Sequence, residues 1–191
     1  MRPLFVSLFM FGMGISAFGG YDYTISSGYV GTLVLENGQT LLMTGGGINS
    51  LSAGDFSVLD IRNTTPYVPI SGGIGTLIVF DYSQLLFSGG HVNRLDIGER
   101  ATAILSGGQI NQITSGYSYA DPLHIKIICQ TAVYDPTTKY LNGTWKDGTD
   151  FSILFKDRDG YSSVIDNVTI IPEPATMLLL GLGGILLRRR Q

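Results

Sequence analysis

Gly31-Thr-Leu-Val-Leu-Glu-Asn-Gly-Gln-Thr-Leu-Leu-Met-Thr-Gly-Gly-Gly-Ile-Asn-Ser-Leu-Ser-Ala-Gly54 recurs 44 residues later, without a gap, as Gly75-Thr-Leu-Ile-Val-Phe-Asp-Tyr-Ser-Gln-Leu-Leu-Phe-Ser-Gly-Gly-His-Val-Asn-Arg-Leu-Asp-Ile-Gly98. The identities fall on the positions that shape a chain: Thr32/Thr76, Leu33/Leu77, Leu41/Leu85, Leu42/Leu86, Gly45/Gly89, Gly46/Gly90, Asn49/Asn93 and Leu51/Leu95. Composition alone would give about two matches over this stretch, so the chain contains a tandem duplication. A shorter unit lies inside it, Ser/Thr-Gly-Gly-x-Ile/Val-Asn-x-Leu/Ile-x-x-Gly, starting at Thr44, Ser88 and Ser106, with a degenerate copy at Ser71. These starts are 27, 17 and 18 residues apart, the length of one coil of a parallel β-solenoid.

The unit has the parts a coil needs. Runs such as Thr76 to Phe80 and Ala101 to Leu105 favour extended backbone, and Gly-Gly supplies the positive φ of a sharp corner. One coil alone cannot bury Leu41, Leu51, Leu85, Leu95, Ile110 or Ile113, which therefore require neighbours above and below. Asn49, Asn93 and Asn111 occupy equivalent places and are candidates for a side-chain amide ladder. The regular spacing of Leu, Ile and Val argues against a flexible low-complexity chain. The expected fold is all-β: a short, β-helix-like parallel solenoid over residues 20–118, with a β-sandwich or roll as the alternative.

After Gly116 the Gly-Gly pairs cease. Leu123 to Val133, Lys139 to Trp145, Phe151 to Phe155 and Ser163 to Ile170 read as longer strands, separated by turns at Lys146-Asp147-Gly148-Thr149 and Asp157-Arg158-Asp159-Gly160. Residues 119–170 are expected to form a small antiparallel β cap over the open end of the coil, since an uncovered end invites edge-to-edge association.

Both termini read as addresses. Met1-Arg2 is a positive start, Pro3 to Ile15 an apolar run, and Ser16 to Gly20 offers small residues for signal-peptidase cleavage after Ala17, Gly19 or Gly20; residues 1–19 are read as a signal peptide. Residues 171–191 carry three parts in order: Pro172-Glu173-Pro174, an apolar run from Ala175 to Leu187, and Arg188-Arg189-Arg190. The prolines bias Ile171 to Glu173 towards extended backbone, a form a protease can grip. As a helix the apolar run reaches about 20 Å, short of a roughly 30 Å hydrocarbon core. The arginines favour the cytoplasmic side and stop translocation, leaving everything before Pro172 outside.

This tail resembles the PEP-CTERM sorting signal of bacterial surface and secreted proteins. Pro172, Glu173 and Pro174 match the recognition motif, Met177 to Leu187 the membrane segment, and Arg188, Arg189 and Arg190 the basic stop. The stretch from Leu141 to Ile153, running on to the Pro-Glu-Pro, resembles planctomycete-type members of that group. The resemblance implies a membrane sorting protease, exosortase, and signal peptidase as processing partners. It also implies transient membrane insertion at the inner membrane, and a cell-surface or extracellular product linked to exopolysaccharide and biofilm. A permanently anchored single-pass protein is the alternative if the motif goes uncut.

Without both signals the body keeps 8 basic and 14 acidic residues, a net charge of −6. No basic patch remains to neutralise phosphates, so nucleic acid is not an expected partner. The single cysteine, Cys129, cannot form an internal disulfide, and its Ile127-Ile128 setting reads as a buried strand. β-Helices also host polysaccharide lyases and glycosidases, which need paired carboxylates or Ca²⁺ carboxylates beside a base. Asp96, Glu99, Arg94 and Arg100 come nearest to such a set, yet the first repeat has Ser52, Asp55, Ser50 and Phe56 in their places. His91 and His124 stand apart, which disfavours zinc or copper. Asp157 and Asp159 lack the downstream Glu of an EF-hand loop. Tyrosines and Trp145 would bind sugar rings only if they lined one face. Asn63, Asn142 and Asn167 open N-x-Thr sequons, read as fortuitous in a bacterium. The expectation is a non-catalytic structural or adhesive protein with no cofactor and no metal. An extracellular carbohydrate-binding or polysaccharide-degrading module is the alternative.

Overall fold

A computed structural model of the protein describes residues 20–64 and 73–172. These residues form two β-sheets and one 3₁₀ turn, Ile165–Asn167. The first sheet holds β1 (Tyr23–Ile25), β3 (Thr40–Met43), β5 (Val58–Ile61), β7 (Gln84–Phe87), β9 (Thr102–Leu105), β11 (Ile125–Cys129) and β15 (Val168–Pro172), in that spatial order. Every pair in it is parallel. The second sheet runs β2 (Tyr29–Leu35), β4 (Gly47–Ala53), β6 (Ile74–Val79), β8 (His91–Gly98), β10 (Gln109–Gly116), β14 (Asp150–Lys156), β13 (Tyr140–Thr144), β12 (Thr131–Asp135). From β2 to β14 it is parallel, and only the β14–β13–β12 meander is antiparallel.

From β1 to β11 the chain alternates between the sheets, so each strand lies beside the strand two places on. The register stacks like on like. Leu33, Leu51, Leu77, Leu95, Ile113 and Phe155 stand side by side across six strands, and all are buried. In the facing sheet Leu41, Leu59, Leu85, Ala103 and Ile125 do the same. Neighbouring strands lie about 4.8 Å apart, so each column is a continuous apolar contact. Full burial of one such aliphatic side chain favours the fold by about 1.5–3 kcal/mol.

The register between parallel neighbours can be set beside the spacing read from the sequence. Tyr29 pairs with Gly47, a step of 18 residues; Ile48 pairs with Ile74, a step of 26; Ile74 then pairs with Val92, again 18. A step of 18 and a step of 26 together span 44 residues. The extra length falls between Thr64 and Gly73. The steps of 26 and 18 replace the 27 and 17 read from the motif at Ser71, which itself lies outside the described residues.

Gly46, Gly90 and Gly108, each the second glycine of a pair, hold positive φ of 75°, 91° and 78°. They turn the chain from the first sheet into the second. The asparagine ladder forms only in part. Asn111 donates from Nδ2 to Asn93 Oδ1 at 3.0 Å, whereas Gly75 takes the intervening place between Asn49 and Asn93 and breaks the run.

The segment 119–170 departs from a separate antiparallel cap. The run from Leu123 to Val133 breaks at Gln130, sending β11 into one sheet and β12 into the other. β11 and β15 continue the parallel sheet, and β14 pairs in parallel with β10 before the meander folds back. The β13–β14 hairpin turns at Lys146–Thr149 as expected, with Trp145 N–H donating to Thr149 O at 2.8 Å. Trp145 is fully buried and donates Nε1–H to Gly108 O at 2.7 Å, which ties the meander to a Gly-Gly corner.

Two comparisons test this packing. Leu77→Ala, in the middle of a buried column, should cost about 2–5 kcal/mol in urea unfolding, while outward-facing Val34→Ala should stay within about 0.5 kcal/mol. Gly108→Ala would place a Cβ 2.7 Å from Gly90 O, whereas at Gly148, also at positive φ, a Cβ meets nothing within 4 Å. Gly108→Ala should therefore lower the melting temperature well below that of Gly148→Ala.

Candidate functional site

The processing motif begins inside the fold. Ile171 and Pro172 are the last two residues of β15, paired with Ile128 and Cys129 of β11. The expected extended backbone is present there, and both residues are exposed. β15 is the last strand of its sheet among the described residues, a place that tolerates a proline because Pro lacks the N–H a further ladder bond needs. Thr169 Oγ1 donates to Pro122 O at 2.5 Å and fastens the strand three residues before the motif. Glu173, Pro174, Arg188, Arg189 and Arg190 lie outside the described residues, as do residues 1–19. Among the described residues no helix is long and apolar enough to cross a membrane.

The charged set chosen from sequence divides in two. Arg94 Nη2 lies 2.8 Å from Asp96 Oδ2 on the outer face of β8, and Arg158 Nη2 stands 3.9 Å from the same oxygen. Glu99 follows the strand, at the turn beyond Gly98, and shares a hydrogen bond with Asp81 that raises its carboxyl above the ordinary range. Arg100 leaves the group and lies over the Tyr82 ring, 5.1 Å from its centroid. Asp96 and Glu99 do border one shallow recess of ≈ 310 Å³ with Arg158. In it one carboxylate is held by guanidinium groups and the other leans on a neighbouring acid.

The remaining candidates have structural partners. His91 Nε2 lies 3.2 Å from Asn111 Oδ1, and His124 is stacked on Tyr117 with centroids 3.9 Å apart. Burial opposes ionisation of Asp157, but donors from Val164 N and Ser163 Oγ hold its carboxyl below the ordinary value, so it organises the turn. Cys129 is buried, which pushes its thiol up. Among the described residues no three His, Cys, Asp or Glu side chains converge as a metal would require. An open groove of ≈ 1040 Å³ separates the Gly89–Gly90 and Gly108 corners from the meander. Its two acids are engaged in the hairpin: Asp147 accepts from Thr149 N–H and Oγ1, and Asp150 from Thr144 Oγ1.

One feature escapes a reading of the sequence by motif. Phe56 and Tyr82 are exposed, and their rings are stacked with centroids 4.7 Å apart and planes 6° from parallel. They are 26 residues apart, so only the long coil step brings them together.

The described residues and the tail together define an all-β body that ends on a C-terminal processing signal. Residues 171–191 match the family model of the PEP-CTERM protein-sorting motif. The chain thus carries the signal of an exosortase substrate, an exported protein that passes through the membrane towards the cell surface. No curated protein and no solved structure matches the chain.

The Glu99–Asp81 contact sets a pH dependence. A carboxyl raised in the folded state binds its proton more tightly there, so its contribution is complete below the unfolded Glu pKa and disappears as pH rises through the folded value. Thermal melts between pH 4 and 8 should show the wild type losing stability relative to Glu99→Gln as pH increases. A difference between the two that does not change with pH would contradict the shared hydrogen bond.

Proposed function

We propose that the mature body, about Gly20 to Ile171, is a non-catalytic structural or adhesive protein of the cell surface or extracellular matrix, built as a short β-solenoid and associated with exopolysaccharide. The observation that carries this reading is the position of the sorting motif in line with β15: Pro172 both pairs with Cys129 in the parallel sheet and is the first residue of the Pro-Glu-Pro. The whole coil stack would stand on the outer side of the inner membrane until cleavage. The acids and bases on its surface favour a scaffold over an enzyme, because Asp96, Asp147, Asp150 and Asp157 each serve a neighbouring side chain or turn. Continuous parallel pairing along both sheets suits spacing or adhesion.

Intact mass spectrometry of the protein from envelope and medium of its native host, compared with a Pro172→Ala/Pro174→Ala double variant, tests the processing step. A C-terminus near Ile171 to Pro174 in the wild type alone is expected. Recovery of wild-type protein in membranes with Arg188 to Gln191 still attached would make the tail a permanent anchor and overturn the reading.

A further inference from the structure

The turns that lead from the second sheet back to the first stack as strictly as the strands do. Thr40, Val58, Gln84 and Thr102 are register partners, so Gly38, Phe56, Tyr82 and Arg100, each two residues earlier, stand one per coil in a single column. The preceding residues, Asn37, Asp55, Asp81 and Glu99, all hold positive φ between 50° and 58°. Tyr82 is enclosed on both sides, by the Phe56 ring at 4.7 Å and by the Arg100 guanidinium at 5.1 Å. Phe56 is stacked on Tyr82 on one side and is exposed. On its other side the column continues with Gly38, where a Cβ would meet nothing within 4 Å.

Phe56 is costly where it stands. It holds φ +65°, a left-handed conformation that bulky side chains rarely adopt, in the place where the first coil has Gly38 at φ +76°. It is also 64 % exposed, so core packing does not compensate for the backbone. A strained, exposed aromatic residue with one open face suggests a role in binding.

We propose that the Gly38 level of this column binds a neutral saccharide ring, which stacks its C–H face on the open side of Phe56. The surroundings select this chemistry. Glu36, Asn37 and Asp55 are exposed around the slot and offer oxygen acceptors at its rim. A pyranose carries an apolar face together with hydroxyl donors at its edge, and so meets both demands. The hydrophobic side chain of a protein partner meets only the first, and an anionic sugar is opposed by Glu36 and Asp55. Nucleic-acid bases would bring phosphates against the same acids.

The proposal rests on the reading of the body as a matrix-associated protein, and the test separates the two. Protein from the native host is run by affinity electrophoresis through gels containing the neutral fraction of that host's exopolysaccharide, with polygalacturonate as the acidic comparison. Phe56→Gly is the informative variant, because glycine suits φ +65°: its melting temperature should equal or exceed that of the wild type while retardation weakens about tenfold, as loss of one ring contact implies. Tyr82→Ala, which removes the ring behind Phe56, should weaken it less. Wild type and Phe56→Gly retarded equally would overturn the site and leave the matrix association standing. Wild type unretarded by the neutral fraction would overturn the site and remove the polysaccharide partner, leaving the processing result intact. A melting temperature that falls together with binding in Phe56→Gly would make Phe56 a packing residue and overturn the proposal.

Discussion

Parallel pairing of strands that are not consecutive in the chain is the constraint on which everything else in the body depends. It places identical positions of the repeat side by side, so Leu33, Leu51, Leu77 and Leu95 become one apolar column rather than four isolated residues. The same pairing brings Asn93 to Asn111, and Phe56 to Tyr82. Stability and surface chemistry therefore share one cause. Were the register to slip by one residue, every inward leucine would turn to solvent and the exposed ring stack would be lost with the core.

Among the described residues the C-terminal ends of the two sheets are built differently. In one sheet the β12–β13–β14 meander reverses strand direction and pins Trp145 under Gly108. In the other, β15 adds a parallel strand at the edge of the described sheet and carries Pro172, whose missing N–H suits it to that place. The sorting motif thus starts within β15, the last strand of its sheet among the described residues.

The parts of this architecture that were legible in the sequence are those repeated in it. The duplication of Gly31–Gly54 at Gly75–Gly98, the β-rich character and the glycine corners could all be read directly, as could the tail from Pro172 to Arg190. The coil phase was blurred at Ser71, because the insertion between Thr64 and Gly73 shifts the motif by one residue relative to the register. The segment after Gly116 was misjudged for a physical reason. A strand pattern gives the inward and outward faces but not the direction of the neighbour, so β11 and β15 looked the same as the truly antiparallel β12 and β13. The aromatic column was hidden because Phe56 and Tyr82 carry no motif and meet only through the 26-residue step.

The central claim is that parallel pairing proceeds in steps of 18, 26 and 18 residues, and nuclear Overhauser contacts in a labelled sample measure this directly. The account predicts backbone contacts of parallel type between β2 and β4, β4 and β6, and β6 and β8, with methyl contacts joining Leu51 to Leu77 and Leu77 to Leu95. Antiparallel contacts between strands consecutive in sequence, such as β2 with β3 or β6 with β7, would contradict it and restore the sandwich alternative.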